Sequence, residues 1–317
     1  MSPIVLSRNS VGRLAVLVGA SLAAKVGTCQ DLPKLSGVVE TYWLSNSNAR
    51  GSYQMNTWAE LKARINSNWS AVWSGYDAQS FAGYDESYVR YEVDAGSVRV
   101  GRLRSSFGFS DWSELLYSGI NHRPLVRECN LVGKIKLDRD DSGAEASANF
   151  GPLQIQAAMI DTGLTRAQVG PDKLDHATVT AQYGLGQVIL GGEFLGKTDL
   201  TEKLVGANVR YTVPHWIFKG EFFEGIGAQS GSGGYLDAIY RIPYRLRTEV
   251  VARVEQVHPW KADDDTVLTT LGIRHIVNQN LTLNLNYGWG KDLFYSNYAT
   301  TLGATGWSLR AMFQVQF

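Results

Sequence analysis

The segment Trp307-Ser-Leu-Arg-Ala-Met-Phe-Gln-Val-Gln-Phe317 decides the fold class. Trp307, Leu309, Ala311, Phe313, Val315 and Phe317 share one face of an extended chain; Ser308, Arg310, Met312, Gln314 and Gln316 share the other. A side-chain period of two is that of a strand with one apolar and one polar face, and a helix would scatter the same residues around its axis. The pattern repeats upstream. In 281–289, Leu281, Leu283, Leu285, Tyr287 and Trp289 oppose Thr282, Asn284, Asn286 and Gly288, and in 246–255, Leu246, Thr248, Val250, Ala252 and Val254 oppose Arg247, Glu249, Val251, Arg253 and Glu255. Alternation is shared by soluble sandwiches, whose apolar face meets a core, and membrane barrels, whose apolar face meets lipid.

Spacing and composition separate the two. Short turn signals at 278–280, 242–244, 213–215, 184–186 and 150–152 alternate with longer polar loops at 290–304, 258–265, 226–232, 197–201 and 162–173. That rhythm belongs to a barrel with short turns on one side of a membrane and long loops on the other. Dividing 57–77 at Asn66-Ser-Asn68 and keeping 131–149 as one strand gives sixteen strands from 35–43 to 305–317. An even number returns the chain to the side on which it started. Charged residues are 19% of the 317 and aromatics 11%, with 33 glycines, and no apolar run is long enough to cross a bilayer as a helix. The sequence therefore predicts an all-β transmembrane antiparallel β-barrel of about 16 strands. Trp43, Trp73, Tyr183, Trp216 and Trp289, near strand ends, read as an interfacial aromatic belt.

The first residues are not part of that barrel. Arg8 and Arg13 precede the apolar run Leu14–Ala24, which small residues follow, the order of a secretory signal. The expected division is a signal peptide over 1–28 and the barrel over 29–317, delivered to a bacterial outer membrane. Removing Arg8, Arg13 and Lys25 leaves 27 basic residues of the original 30 against 30 acidic ones, a formal charge of −3. That balance gives no basic excess for nucleic acid. Cys29 and Cys129 are the only cysteines, too few for a disulfide framework or a metal site, and Thr28 is a poor neighbour for lipidation at Cys29.

Two local features carry a family resemblance. The chain ends on an aromatic, Phe317, and the segment 85–108, Asp-Glu-Ser-Tyr-Val-Arg-Tyr-Glu-Val-Asp-Ala-Gly-Ser-Val-Arg-Val-Gly-Arg-Leu-Arg-Ser-Ser-Phe-Gly, has a tight turn, a Gly-Arg pair and a Phe-Gly exit. Both resemble the Gram-negative porin superfamily of 16-stranded trimeric barrels, general or phosphate-selective in type. The resemblance implies a third loop, about 108–130, folded into the barrel to narrow the pore, and a homotrimer embedded in outer-membrane lipid and lipopolysaccharide. It also implies a constriction with Asp111 and Glu114 on the loop facing Arg64, Arg102 and Lys134 on the wall. The loop adds His122, Arg123 and Arg127 and lacks the Pro-Glu-Phe-Gly-Gly stretch frequent in the family. Opposed rows of fixed charge across a narrow aqueous gap orient water and dipolar solutes. Strict alternation places Arg102 on the face of Val98 and Val100, so a lumenal Arg102 requires lumenal valines or a bulge.

Elsewhere the polar faces carry Lys62, Arg90, Arg210, Lys219, Arg247, Arg253, Arg274 and Arg310 against Glu92, Glu145, Glu193, Glu221, Glu249 and Glu255, a balance that implies a weak charge preference at most. The five histidines, His122, His176, His215, His258 and His275, lack metal-ligand spacing. Asp263-Asp-Asp265 reads as a solvated loop tip. No nucleophile-elbow, P-loop, zinc-helix or dinucleotide motif is present, so no cofactor or metal is expected. The expected function is a water-filled channel for passive diffusion of small hydrophilic solutes and ions. The alternatives are a substrate-specific porin for an anion such as phosphate or for a sugar, and an outer-membrane barrel enzyme. The enzyme would need a Ser/His or Asp/His cluster at one rim, which the sequence does not display. A soluble secreted β-protein would leave the terminal Phe317 and the loop rhythm unexplained.

Overall fold

The computed structural model describes residues 32–46, 49–78, 81–104, 107, 118–120, 124–128, 140–161, 176–197, 200–227, 230–243, 247–258, 265–291, 293–295, 300–302 and 306–317. The expected signal over 1–28 lies outside them, as do Cys29 and Cys129. The strands are β1 (Lys34–Asn46), β2 (Ala49–Arg64), β3 (Trp69–Ala78), β4 (Phe81–Val93), β5 (Gly96–Arg104), β6 (Asp140–Phe150), β7 (Leu153–Asp161), β8 (His176–Leu185) and β9 (Val188–Lys197). They continue as β10 (Lys203–Val213), β11 (Trp216–Ile226), β12 (Ser232–Arg241), β13 (Thr248–His258), β14 (Thr266–Ile276), β15 (Leu281–Lys291), β16 (Leu293–Tyr295), β17 (Thr300–Leu302) and β18 (Gly306–Gln316). A single helical turn, α1 (Leu125–Glu128), lies between β5 and β6. No helix among the described residues is long and apolar enough to cross a membrane.

β1 to β15 and β18 close into a sixteen-stranded antiparallel barrel, while β16 and β17 form a separate hairpin in the last loop. Each sequence-predicted strand has its counterpart, including the division of β2 from β3 at 65–68; β6 starts at Asp140, and 129–139 lies outside the described residues. The turn-end connections are tight because their sequences suit them. Gly151 and Gly186 both have φ 59° with open space where a Cβ would stand, so backbone conformation alone demands glycine there. Closure joins the two ends of the described barrel. Gly37 and Phe317 exchange backbone hydrogen bonds, each 3.0 Å, so the terminal aromatic is a paired strand residue rather than a frayed one.

The barrel is inside-out relative to a soluble sandwich. Leu236, Val254, Leu271, Leu285 and Phe313 are all about half-exposed on the outer face. Glu145, Glu193, Asn208, Lys219, Glu221, Asp237, Arg253, Arg274 and Arg310 are buried on the inner one. Outward rings gather near both ends. Trp69 packs on Tyr91, and Trp216 on Phe218 and Tyr240, near the turns, and Tyr287, Trp289 and Trp307 cluster near the loops. Trp43, Trp73, Tyr183, Trp216 and Trp289 all occupy outward positions of the register, as a belt at the two membrane boundaries requires.

Candidate functional site: the lumen and its inward segment

The third loop-end connection enters the barrel, as expected. In its described part, 118–120 and 124–127, Ser118, Ile120, Leu125, Val126 and Arg127 are all buried. Three polar contacts hold the segment to the wall β11–β15. The Leu125 amide donates to Glu255 Oε1 at 2.7 Å, Asn286 Nδ2 donates to the Gly119 carbonyl at 2.9 Å, and Arg127 Nη2 donates to Glu221 Oε2 at 3.3 Å. Gly119 has φ 74°, and a Cβ there would lie 3.0 Å from both Arg274 and Val251, so only glycine fits its conformation and its space.

Apolar packing completes the docking. Leu125 and Val126 join Leu103, Phe107, Ile160, Leu195, Leu204, Phe223, Val257 and Leu268 in one buried cluster at the loop end of the bore. Nearer the turns, Ile120 packs with Ile217, Ile239 and Val251. The inner face of these strands is therefore not uniformly polar: where the segment covers it, the wall is apolar. The covered charges have partners of opposite sign. Arg253 forms a two-pronged bond with Asp237 at 2.5 and 2.8 Å, Lys219 approaches the same carboxylate at 3.5 Å, and Arg274 lies 3.1 Å from Glu249, which the exposed Arg241 also contacts. Asn208 donates to Glu193.

The opposite wall, β1–β5, is built differently. Cross-strand register places Arg64, Ser70, Arg90 and Arg99 in one inward row, and Lys34, Lys62, Val72 and Tyr88 in the adjacent row. Arg99 is tied down by Glu145 at 2.8 Å and Glu86 at 3.5 Å, with Tyr88 beneath its guanidinium. Lys34, Lys62 and Arg64 are exposed to the bore, and Glu92 is bound at 3.3 Å by Arg90. Two water-accessible cavities open along this wall near the turns. One, of about 420 Å³, is lined by Lys34, Lys62, Arg64 and Ser70; the other, of about 570 Å³, by Arg90, Arg99, Glu145, Asn149, Gln154 and Gln156.

Of the anticipated constriction residues, Arg64, Arg102 and Arg127 are described, and these three do not come together. Asp111, Glu114, His122, Arg123 and Lys134 lie outside the described residues. Arg64 faces the bore at the turn end, with its guanidinium against the Asn66 and Ser67 carbonyls. Arg127 is buried between the segment and the wall. Arg102 does not face the bore: Val98 and Val100 are 44% and 54% exposed on the outer face, and β4–β5 pairing runs without a bulge through Ser87↔Arg102. Arg99 is the inward arginine of β5, and the alternation of Val98, Arg99 and Val100 already carried that signal. Arg247 sits in a turn rather than on a wall. Glu40, Glu86 and Asp237 are inward acids that the polar-face tally omitted. Among the described residues no group of acids, histidines and cysteines could hold a metal. A rim Asp/His pair does exist: His258 Nδ1 lies 2.8 Å from Asp265 Oδ1. It sits on the outer face at the loop end, beside Ser232 in the register.

No family model matches the chain, and no curated protein matches it in sequence. Solved structures do match in shape. The anion-selective porin from Comamonas acidovorans is 14% identical with a TM-score of 0.67, over 90% of this chain and 99% of that one. A multiply substituted Rh. blastica porin is 8% identical with a TM-score of 0.65, over 90% and 100%. OmpT, an outer-membrane protein of Vibrio cholerae, is 11% identical with a TM-score of 0.63, over 90% and 97%. At such identities the likeness is one of fold.

Proposed function

We propose that this chain, a sixteen-stranded barrel of the porin fold, is a passive outer-membrane pore for small hydrophilic solutes and ions and no enzyme. The observation that carries the reading is the inverted polarity. A closed ring of strands turns its charges inward and its large apolar side chains outward, while the segment through the bore is fixed to one wall. Charges lining water-filled space interact with passing ions and dipoles without making or breaking a bond. The outer face and its two aromatic belts fit a membrane of lipid and lipopolysaccharide. Likeness to porins supports a homotrimer, and the sequence order of 1–28 supports a cleaved signal.

Planar-bilayer recording of detergent-folded protein under a KCl gradient tests the reading. Stepwise conductance increments, grouped in threes for a trimer, are the expected result; silence from well-folded protein would overturn it. The alternative of a rim enzyme rests on the outward row Ser232, His258 and Asp265. An aspartate on imidazole Nδ1 is the orienting contact of hydrolytic triads. Among the described residues no hydroxyl hydrogen-bonds the other nitrogen of His258. Hydrolysis of a long-chain acyl ester that His258→Ala abolishes would favour the enzyme over the pore.

A further inference from the structure

The cavity of about 570 Å³ near the turns falls within the roughly 300–1,000 Å³ range of small-molecule sites, and part of its lining differs from the rest of the bore. Cross-strand register sets Asn149, Gln154 and Gln182 in one inward row, and Ser97, Ser147, Gln156 and Thr180 in the next. Phe150, Val179 and Tyr183, which alternate with them, are outward and exposed. The turn-side inner faces of β6, β7 and β8 therefore hold amides and hydroxyls and no charge. Asn149, Gln154 and Gln182 form no side-chain hydrogen bond among the described residues. Gln156 Oε1 accepts from Thr180 Oγ1 at 3.3 Å, which leaves its Nε2 to donate, and the Ser97 and Ser147 hydroxyls bond each other at 2.9 Å. Of the charged groups in the lining, Arg99 is bound by Glu145 at 2.8 Å and Arg90 by Glu92 at 3.3 Å, and Asp94 is exposed in the turn between β4 and β5.

We propose that this amide wall is a binding site for a neutral, polyhydroxylated solute with the chemistry of a monosaccharide. The inference deepens the pore reading by naming a solute class, and it rests on that reading for access through the bore. A carboxamide presents an acceptor and two donors side by side, and a hydroxyl both donates and accepts. A pair of adjacent hydroxyls can therefore close two bonds on one amide, and amides about 5 Å apart across strands reach successive positions of one sugar ring. An anion would leave the amide oxygens facing like charge, and a cation would do the same to the amide NH2 groups. A free amino acid carries both charges and meets neighbouring ions that are already paired. Opposed charges across a bore order water and disfavour neutral solutes, and a stretch of inner wall without charge lacks that penalty. The wall holds the solute at the turn end of the pore, away from the inward segment.

Saturation-transfer NMR on the full-length detergent-folded protein tests this, with glucose as the probe and gluconate and glucosamine as its anionic and cationic counterparts. Glucose should give saturable transfer and bind more tightly than either charged counterpart. In the double variant Gln154→Ala/Gln156→Ala its binding should weaken about tenfold, the effect of losing roughly two neutral hydrogen bonds. Thr269→Ala, outward on β14, should bind as the wild type does. Heat-modifiable gel migration confirms that each variant is folded. In bilayers glucose should reduce the ionic current of the wild type and, at the same concentration, leave that of the double variant unchanged. Glucose binding that is absent in the wild type or unchanged in the double variant, or tighter binding of gluconate or glucosamine, overturns the site and leaves a conducting pore untouched. Glucose binding that the double variant loses, in a protein that never conducts, keeps the site and overturns the pore.

Discussion

The two walls of the lumen solve opposite problems with the same residue types. Along β11–β15 the inward segment seals the charges from water, and each finds a partner: Arg253 with Asp237, Arg127 with Glu221, Arg274 with Glu249. An unpaired charge there would carry the full penalty of lost hydration. Along β1–β3 water remains in contact with the wall, and Lys34 and Lys62 stand side by side on its exposed inner face. Hydrated charges need no local neutralisation and remain available to a solute. The difference teaches that burial, more than residue type, decides whether a lumenal charge is a structural element or a functional one.

The comparison breaks most sharply at Arg253. Arg253→Met leaves Asp237 buried with only Lys219, and chemical unfolding should register a loss of about 3–5 kcal/mol. Its neighbour Val254 points to the lipid side and is 53% exposed. Val254→Arg should cost about 2–4 kcal/mol of folding free energy in a bilayer, while a wild-type-like value would mean that this face is not lipid-facing. Next comes the pin of the inward segment. Arg127→Met removes a charged hydrogen bond worth about 2 kcal/mol, and single-channel records should become noisier with higher-conductance excursions; unchanged traces would mean the apolar cluster alone holds the segment. On the open wall, Lys62→Gln should alter thermal stability by less than about 0.5 kcal/mol and yet shift the reversal potential. The smallest effect belongs to His258→Ala on the outer rim, for which conductance and selectivity should both stay at wild-type values.

Much of the fold was legible because a strand exposes its environment every second residue. The strand count, the division at Asn66-Ser-Asn68 and the aromatic belt all follow from local pattern, and each has its counterpart in the barrel. Arg102 shows where motif transfer and periodicity disagree: the Gly-Arg pair suggested a lumenal arginine, whereas alternation from Val98 and Val100 placed it outside, and the barrel follows the alternation. The covered wall also leaves a mark in the sequence. Met159-Ile160, Phe194-Leu195, Leu204-Val205, Phe222-Phe223 and Val267-Leu268 are apolar doublets near strand ends. In each, one residue faces out and the other, Ile160, Leu195, Leu204, Phe223 or Leu268, faces the inward segment. A break in alternation at the same end of several strands marks something apolar inside the barrel.

The sequence by itself determined that the chain forms strands, which face of each is apolar, where the chain turns and that the strand number is even, since all of these depend on contacts within a few residues. Only the tertiary structure decided which charges meet. Arg127 and Glu221 are 94 residues apart in sequence, and Leu125 and Glu255 are 130 apart. Those distances close only when the barrel closes and the inward segment chooses its wall. The physical reason is that alternation assigns a side chain to a face, whereas pairing and hydration depend on what crosses the bore to meet it.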